Sequence, residues 1–277
     1  MAGTLGEDVA QVRGDAQVAA VLARVRMGAR PAALDLRPRD PTPECEGDTG
    51  AAVVGPATAV GRDRPPELRH HEHQHVIESR LEAAGERIEA LRQRGVTQAV
   101  TPALSAFEAE PFFQAGFTQH EALHLLARYI DTEPPKPTHR LRRGRPWDRP
   151  RVLELDSKAF EQFWQFDSFS LKEARRATPA HRFTVAVADG DVTGYAVTGR
   201  AGGRGYLQRL AVDPNLHGQG IGSSLVHDCL RWLHRKGVGM ALVNTQERNT
   251  RALELYERLG FVRQREGLLV LRWDEPA

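Results

Sequence analysis

Apolar and polar positions follow two periods along this chain, and the pattern is clearest in the second half. Phe183 to Ala188 and Val192 to Thr198 alternate around the turn Asp189-Gly190-Asp191, which predicts a β-hairpin. Tyr206 to Val212 predicts a further strand. Gly220 to Arg235 carries Leu225, Val226, Cys229, Leu230 and Leu233 on one side of a predicted helix. Met240 to Asn244 predicts an apolar strand, and Asn249 to Leu259 a helix ended by Gly260. Phe261 to Val262 and Leu268 to Trp273 read as closing strands. Ahead of the hairpin, Arg151 to Leu155 reads as a strand, and Ser157 to Trp164 and Leu171 to Ala177 as helices.

The first half is less regular. Gln17 to Met27 reads as a short helix, and Ala32 to Leu36 and Ala51 to Val54 as strands separated by a proline-rich loop from Arg37. Ile77, Leu81, Ala84, Ile88 and Leu91 recur at helical spacing, and Gly95 ends that helix. Val96 to Val100 then reads as a strand. Ser105 caps a helix running to Ala115, although Pro111 lies inside it, and Ala122 to Ile130 reads as a strand. Pro134, Pro135 and Pro137 break the chain. The expected organisation is a degenerate first domain over residues 1–133, a Pro- and Arg-rich linker over 134–150, and a second domain over 151–277.

An internal echo joins the two halves. Arg94-Gly-Val-Thr-Gln-Ala-Val matches Lys236-Gly-Val-Gly-Met-Ala-Leu, and Ala115-Gly-Phe117 matches Leu259-Gly-Phe261. Arg128-Tyr129 falls where Arg272-Trp273 falls. Both halves run helix, Gly, strand, helix, Gly-Phe, strand, as two copies of one fold would.

Composition narrows the classes. The chain has 277 residues, 40% of them hydrophobic, with a formal net charge of +2. That suits two domains and gives no global field for nucleic acid. Lys136 to Arg151 concentrates five of the arginines before Arg151 (140, 142, 143, 145 and 149) and reads as a solvated linker rather than a polyanion-binding arm. Cys45 and Cys229 are too far apart for metal-ligand spacing, and Cys229 falls on an apolar helical stripe. No disulfide framework is implied, which suits the cytoplasm. The N-terminus lacks an apolar signal region, and no apolar run reaches membrane-spanning length. His70-His-Glu-His-Gln-His75 invites a metal, but no Cys or second acidic cluster supports zinc, and it reads as a polar loop entering a helix.

The candidate chemistry lies in Leu207-Gln-Arg-Leu-Ala-Val-Asp-Pro-Asn-Leu-His-Gly-Gln-Gly-Ile-Gly222. A strand ends at Val212, Asp213-Pro214 turns the chain, and Gly218, Gly220 and Gly222 open a helix. Main-chain N–H groups at a helix start lack partners within the helix, and glycines let a diphosphate approach them. A dinucleotide site would need G-x-G-x-x-G within βαβ units, and a nucleoside triphosphate site would need Gly-Lys-Ser/Thr; both are absent. A tight turn without a ligand is the remaining plain reading of the loop alone.

His217-Gly-Gln-Gly-Ile-Gly222 resembles motif A of the GNAT N-acetyltransferase superfamily, Arg/Gln-x-x-Gly-x-Gly/Ala, departing at its first position, which is His. Asn249-Thr-Arg-Ala-Leu-Glu-Leu-Tyr-Glu-Arg-Leu-Gly-Phe261 is similar to motif B, Asn-x-x-Ala-x-x-x-Tyr-x-x-x-Gly-Phe, at every named position. The resemblance implies an α/β fold with a mixed sheet, the GNAT acyl-CoA N-acyltransferase fold, in tandem. The tandem arrangement resembles the mycothiol synthase family.

The same resemblance implies a site. Acetyl-CoA would lie where the strand ending at Val212 splays from the strand ending at Asn244. Main-chain groups of Leu210, Ala211 and Val212 would pair with the pantetheine and polarise the thioester carbonyl. Gly218, Gln219, Gly220, Ile221, Gly222 and Ser223 would hold the pyrophosphate, with Asn249 on the pantetheine arm. Tyr256 would protonate the departing thiolate. Relatives place a Glu near the position of Asn244, which cannot act as a base, so Glu247 is the candidate base and a water the alternative. Phe112 stands in the first copy where Tyr256 stands in the second, so that copy is expected to be inert. It would serve packing, acceptor selection or homodimer contact. The expected partners are acetyl-CoA and a primary amine of a small molecule or protein, without a metal, membrane or nucleic acid. A non-catalytic acyl-CoA sensor is the alternative.

Overall fold

The computed structural model describes residues 95–275, together with Ile88, Glu89, Arg92, Gln93 and the pair Arg26–Met27. The expected strands at 32–36 and 51–54, the His70–His75 cluster and most of the stripe from Ile77 to Leu91 lie outside the described residues. Of the expected helix at 17–27, only Arg26–Met27 is described, and it forms a strand, β1.

The elements then run β2 (Val96–Val100), α1 (Ala106–Gln114), β3 (Thr118–Tyr129), β4 (Leu141–Arg143), α2 (Arg149–Ala159) and α3 (Ser168–Arg176). They continue with β5 (Ala180–Ala188), β6 (Asp191–Ala201), β7 (Arg204–Val212), α4 (Ile221–Arg235), β8 (Met240–Gln246), α5 (Thr250–Arg258), β9 (Val262–Arg263) and β10 (Leu268–Asp274). The order across the sheet is β1-β2-β10-β3-β8-β7-β6-β5-β4, with β9 on β3. Mixed strand directions give the expected α/β class.

Ser105 caps α1 as expected, in a reciprocal capping box with Glu108. Two expectations of secondary structure fail. Ser157 to Trp164 is not one helix, because α2 ends at Ala159, Phe160 is extended, and a 3-10 turn spans Gln162–Trp164. Arg151 to Leu155 is helical: Val152, Leu155 and Asp156 recur at i, i+3 and i+4 and all face inward, and Pro150 sits in the first turn, where its missing N–H costs nothing. Residues 134–150 carry secondary structure of their own, while Arg140, Arg143, Arg145 and Arg149 are exposed as a solvated segment would have them. Leu141–Arg143 adds the edge strand β4 to β5, and Arg142 grips Asp148 through two bonds of 2.6 and 2.8 Å. The Arg142 guanidinium holds the Asp148 carboxyl below the usual carboxylate range.

The two halves are joined by exchanged strands. β3, from the first half, pairs with β8 through seven residue pairs, from Leu123–Gln246 to Tyr129–Met240. β10, from the second half, pairs with β2 at Arg272–Val100, Trp273–Ala99 and Asp274–Gln98. β3 and β10 pair antiparallel between them. Each half's last strand thus completes the other half's sheet. The rings after the two Gly-Phe turns repeat as well. Phe112 meets Phe117 edge-on at 5.2 Å, as Tyr256 meets Phe261 at 5.7 Å. The halves part company at β1, which runs antiparallel to β2, whereas β7 runs parallel to β8.

Alternation along β5 and β6 divides the core between two faces. Ala186 and Ala196 pack with Leu225, Val226 and Leu230 of α4. Val185, Tyr195 and Val197 pack with Val152 and Leu155 of α2 and Leu171 of α3. Asp228 of α4 fixes that helix to β5 by accepting from Arg182 at 2.7 and 2.9 Å and from Thr184 at 2.8 Å. Leu126 of β3 is fully buried among the α4 residues, so the first half supplies core to the second.

Leu126→Ala is therefore expected to destabilise the whole chain by about 2–5 kcal/mol, read as a lower urea midpoint at unchanged slope. An unchanged midpoint would show that β3 is not bonded into the second half's core.

Candidate active site

The cleft arises where β7 changes partners. Its parallel pairing with β8 covers only Arg204–Met240, Gly205–Ala241 and Tyr206–Leu242. On its other side the register with β6 shifts between Thr198–Leu207 and Val197–Arg209, leaving Gln208 as an extra residue. Such a bulge bends the strand that carries it. β8 stays on course because β3 pairs along its full length. The two strands therefore diverge beyond Tyr206, and the β8-facing edge of residues 207–212 has no strand partner.

The gap is a cavity of about 390 Å³. Leu210, Ala211, Val212, Asn244, Asn249 and Tyr256 line it, as do Gly218, Gly220, Ile221, Gly222 and Ser223. Most of the residues singled out in the sequence therefore meet around one space. Gln219 and Glu247 do not line it, and Glu247 is exposed. No carboxylate lines the cavity among the described residues.

The loop at the head of α4 is built by backbone conformation. Gly218 and Gly220 have φ of +81° and +85°, a region that costs other L-residues about 1–2 kcal/mol. The first α-helical bond is Ser224 N–H to Gly220 O, at 3.0 Å. The N–H groups of residues 218–223 donate to no acceptor among the described residues. They are free for an anion at the positive end of α4. Side chains brace the loop from outside. Ser224 Oγ accepts from the main chain of Thr138 and His139 at 3.2 and 3.3 Å. His217 Nε2 lies 3.2 Å from Val212 O, and its Nδ1 meets Arg251.

Asn249 caps α5, with its Oδ1 accepting from Ala252 N–H at 3.1 Å, which leaves its Nδ2 outside that bond. Tyr256 is 5% exposed. Burial pushes its hydroxyl pKa well above the ordinary tyrosine value; nearby Cys229 adds to the rise and Arg209 opposes it. At neutral pH this hydroxyl keeps its proton.

A buried charged cluster beside the bulge was not anticipated from the sequence. Asp156 of α2, with no exposed surface, accepts two bonds of 2.8 Å from Arg209, one of 2.6 Å from Phe166 N–H, and one from the Tyr195 hydroxyl. The Arg209 guanidinium lies 3.4 Å from the Phe160 ring centre and 4.0 Å from that of Phe166, and also donates to Trp164 O at 2.7 Å. The available signal was an aspartate on the apolar stripe Val152-Leu155-Asp156, which an extended reading of 151–155 conceals. Among the described residues no group of His, Cys, Asp and Glu is arranged to hold a metal, and no helix is long and apolar enough to cross a membrane.

A splayed parallel pair, a glycine-opened helix and a buried tyrosine thus meet around one cavity. A family model described as the acetyltransferase (GNAT) family matches residues 149–261. The chain is 31% identical over 206 residues to the mycothiol acetyltransferase of Salinispora tropica, covering 63% of this chain and 67% of that one. It is 31% identical over 166 residues to the mycothiol acetyltransferase of Thermobispora bispora, covering 53% of this chain and 56% of that one. A tandem GNAT protein from the clavulanic acid biosynthesis pathway shares the fold, with a TM-score of 0.52 at 17% identity over 70% of this chain and 69% of that one. The chain belongs to the GNAT acetyltransferase family. It matches a little over half the length of the Thermobispora relative.

Asp156→Asn leaves the Arg209 charge buried without its counter-ion, and a loss of about 3–5 kcal/mol in unfolding free energy is expected by chemical denaturation. Alkali tests the buried donors. Burial raises the pKa of Tyr195 and Tyr256 and pushes that of Cys229 up to about 12. The unfolded chain then releases protons first, so stability is full below the unfolded values and falls as pH rises through them. A melting temperature that declines from about pH 9 upward is expected; a flat profile to pH 11 would contradict the burial.

Proposed function

We propose that this protein is an N-acetyltransferase that moves the acetyl group of acetyl-CoA to a primary amine by direct attack within a ternary complex. The observation that carries this reading is that one cavity is lined both by the glycine-opened start of α4, whose N–H groups have no acceptor among the described residues, and by Tyr256. The relatives named mycothiol acetyltransferase support acetyl transfer.

Roles follow from what each group can offer. The N–H groups from Gly218 to Ser223 hold the pyrophosphate of the coenzyme. The open edge of Leu210, Ala211 and Val212 takes the pantetheine as an added strand, and one N–H there stabilises the oxyanion. Asn249 supplies an amide donor to the same arm, and Asn244 lines the opposite wall. The amine nitrogen bonds to the thioester carbon, and the C–S bond breaks. The thiolate takes the Tyr256 proton. The proton lost by the amine leaves to water, because Glu247 is exposed and outside the cavity. Phe112, in the place of Tyr256, has no proton to give, so the first half is inert in this scheme.

Two variants separate binding from chemistry. Tyr256→Phe is expected to lower kcat about 100-fold in an assay of released CoA thiol, while acetyl-CoA binding by calorimetry stays within about twofold. Gly220→Ala places a Cβ on a residue at φ +85°, 3.4 Å from His139 Cε1. It is expected to weaken acetyl-CoA about tenfold. Unchanged kcat in the first removes Tyr256 from the mechanism. Coenzyme binding without turnover of any amine would leave an acyl-CoA sensor.

A further inference from the structure

The cavity has a second end that the coenzyme roles leave unused. Beyond the bulge it is walled by Phe160, Trp164 and Phe166, by Ala174 and Ala177 around the end of α3, and by Leu123 of β3. Trp164 rests on a separate apolar cluster that includes Leu123 and Val100 of the first half and Val270 of β10. Phe163 stands edge-on to Trp164 at 4.9 Å and lies 4.1 Å from His120, which stiffens this wall.

The charge available to a ligand at this end is close to nil. Among the described residues lining this end Arg209 is the one cation, and Asp156 neutralises it while two aromatic rings cover it; Glu121 and Glu161, outside the lining, both pair with Arg248. The carboxylate of Asp156 is wholly buried and occupied by four donor groups. An ammonium ion entering here finds no carboxylate among the described lining residues and loses its hydration, which favours its neutral, nucleophilic form. A polyhydroxylated acceptor would strip most of its hydroxyls of water against rings and methyl groups, the buried Gln208 amide at the bulge being a polar group of the lining without a partner among the described residues. An apolar body instead gains about 25 cal/mol for each Å² it buries.

On the reading that this cleft binds acetyl-CoA, we propose that its second end is the acceptor subsite and that it selects primary amines carried on an aromatic or branched apolar skeleton, with Trp164 as the specificity-determining wall. The first half contributes to this selection through Leu123 and the cluster that supports Trp164. The apolar wall also lets the reaction proceed without a carboxylate base, because the amine is deprotonated as it is desolvated.

The test uses the full chain with CoA present and reads amine binding by saturation-transfer NMR, so it does not depend on turnover. Phenethylamine and glucosamine serve as probes of similar size and opposite polarity. Phenethylamine is expected to bind at least about tenfold more tightly. Trp164→Ala is expected to abolish that preference, and Trp164→Phe to restore most of it. Equal or tighter binding of glucosamine overturns the proposal. So does a Trp164→Ala protein that keeps its native circular dichroism spectrum and the full preference. CoA affinity, measured by calorimetry on the same samples, tests the transferase reading separately. Failure there removes the coenzyme site, whereas failure of the amine preference with CoA bound removes only the acceptor assignment.

Discussion

The cleft depends on β8 having two different neighbours. Near its start it is hydrogen-bonded on both sides, to β7 and to β3; beyond Leu242 only β3 remains. A strand with one open edge would ordinarily seek a partner, since unpaired main-chain groups are costly to bury. Here the seven-pair ladder with β3 fixes the line of β8, and the bulge at Gln208 bends β7 away from it. The open edge that results is what an extended ligand can complete. Pairing on one side therefore creates binding capacity on the other.

That arrangement makes the half that carries the cleft depend on the other half. The first half has Phe112 in place of Tyr256 and a β1 strand of the wrong direction to repeat the splayed pair. Its last strand is nevertheless the partner of β8, and Leu126 on that strand is buried beneath α4. β10 is bound reciprocally into the first half through β2. Loss of β3 would expose β8 and open the core.

Local features were legible in the sequence and long-range ones were not. The helix from Ile221, its glycine entry and the cap at Ser105 are set by residues within a turn of each other, and the structure has them where periodicity and cap chemistry place them. The convergence of Val212, Asn244, Asn249 and Tyr256 on one space was implied by the resemblance of the two motifs to a known family. The exchange of β3 and β10 could not, because period-two alternation names the face of a strand but not its neighbour. The short run 151–155 misled for a different reason. Five residues with apolar positions separated by two fit either period, and the deciding residue, Asp156, looks polar until Arg209, more than fifty positions away, is placed against it.

Asp156 and Arg209 connect these levels. Burying an ion pair is costly, and the favourable terms here are bidentate geometry, the Tyr195 hydroxyl and the Phe166 N–H, which together satisfy the carboxylate. The pair sits where β7 resumes after the bulge, and it anchors α2 and the 160–166 segment to that strand. The rings that cover Arg209 are the rings that wall the far end of the cavity. One internal charge is thus spent on holding an apolar surface in position. A carboxylate placed in the cavity to serve as a base would compete with Asp156 for Arg209 and disturb that surface. The absence of a carboxylate from the described lining and the presence of this cluster are therefore consistent parts of one electrostatic arrangement.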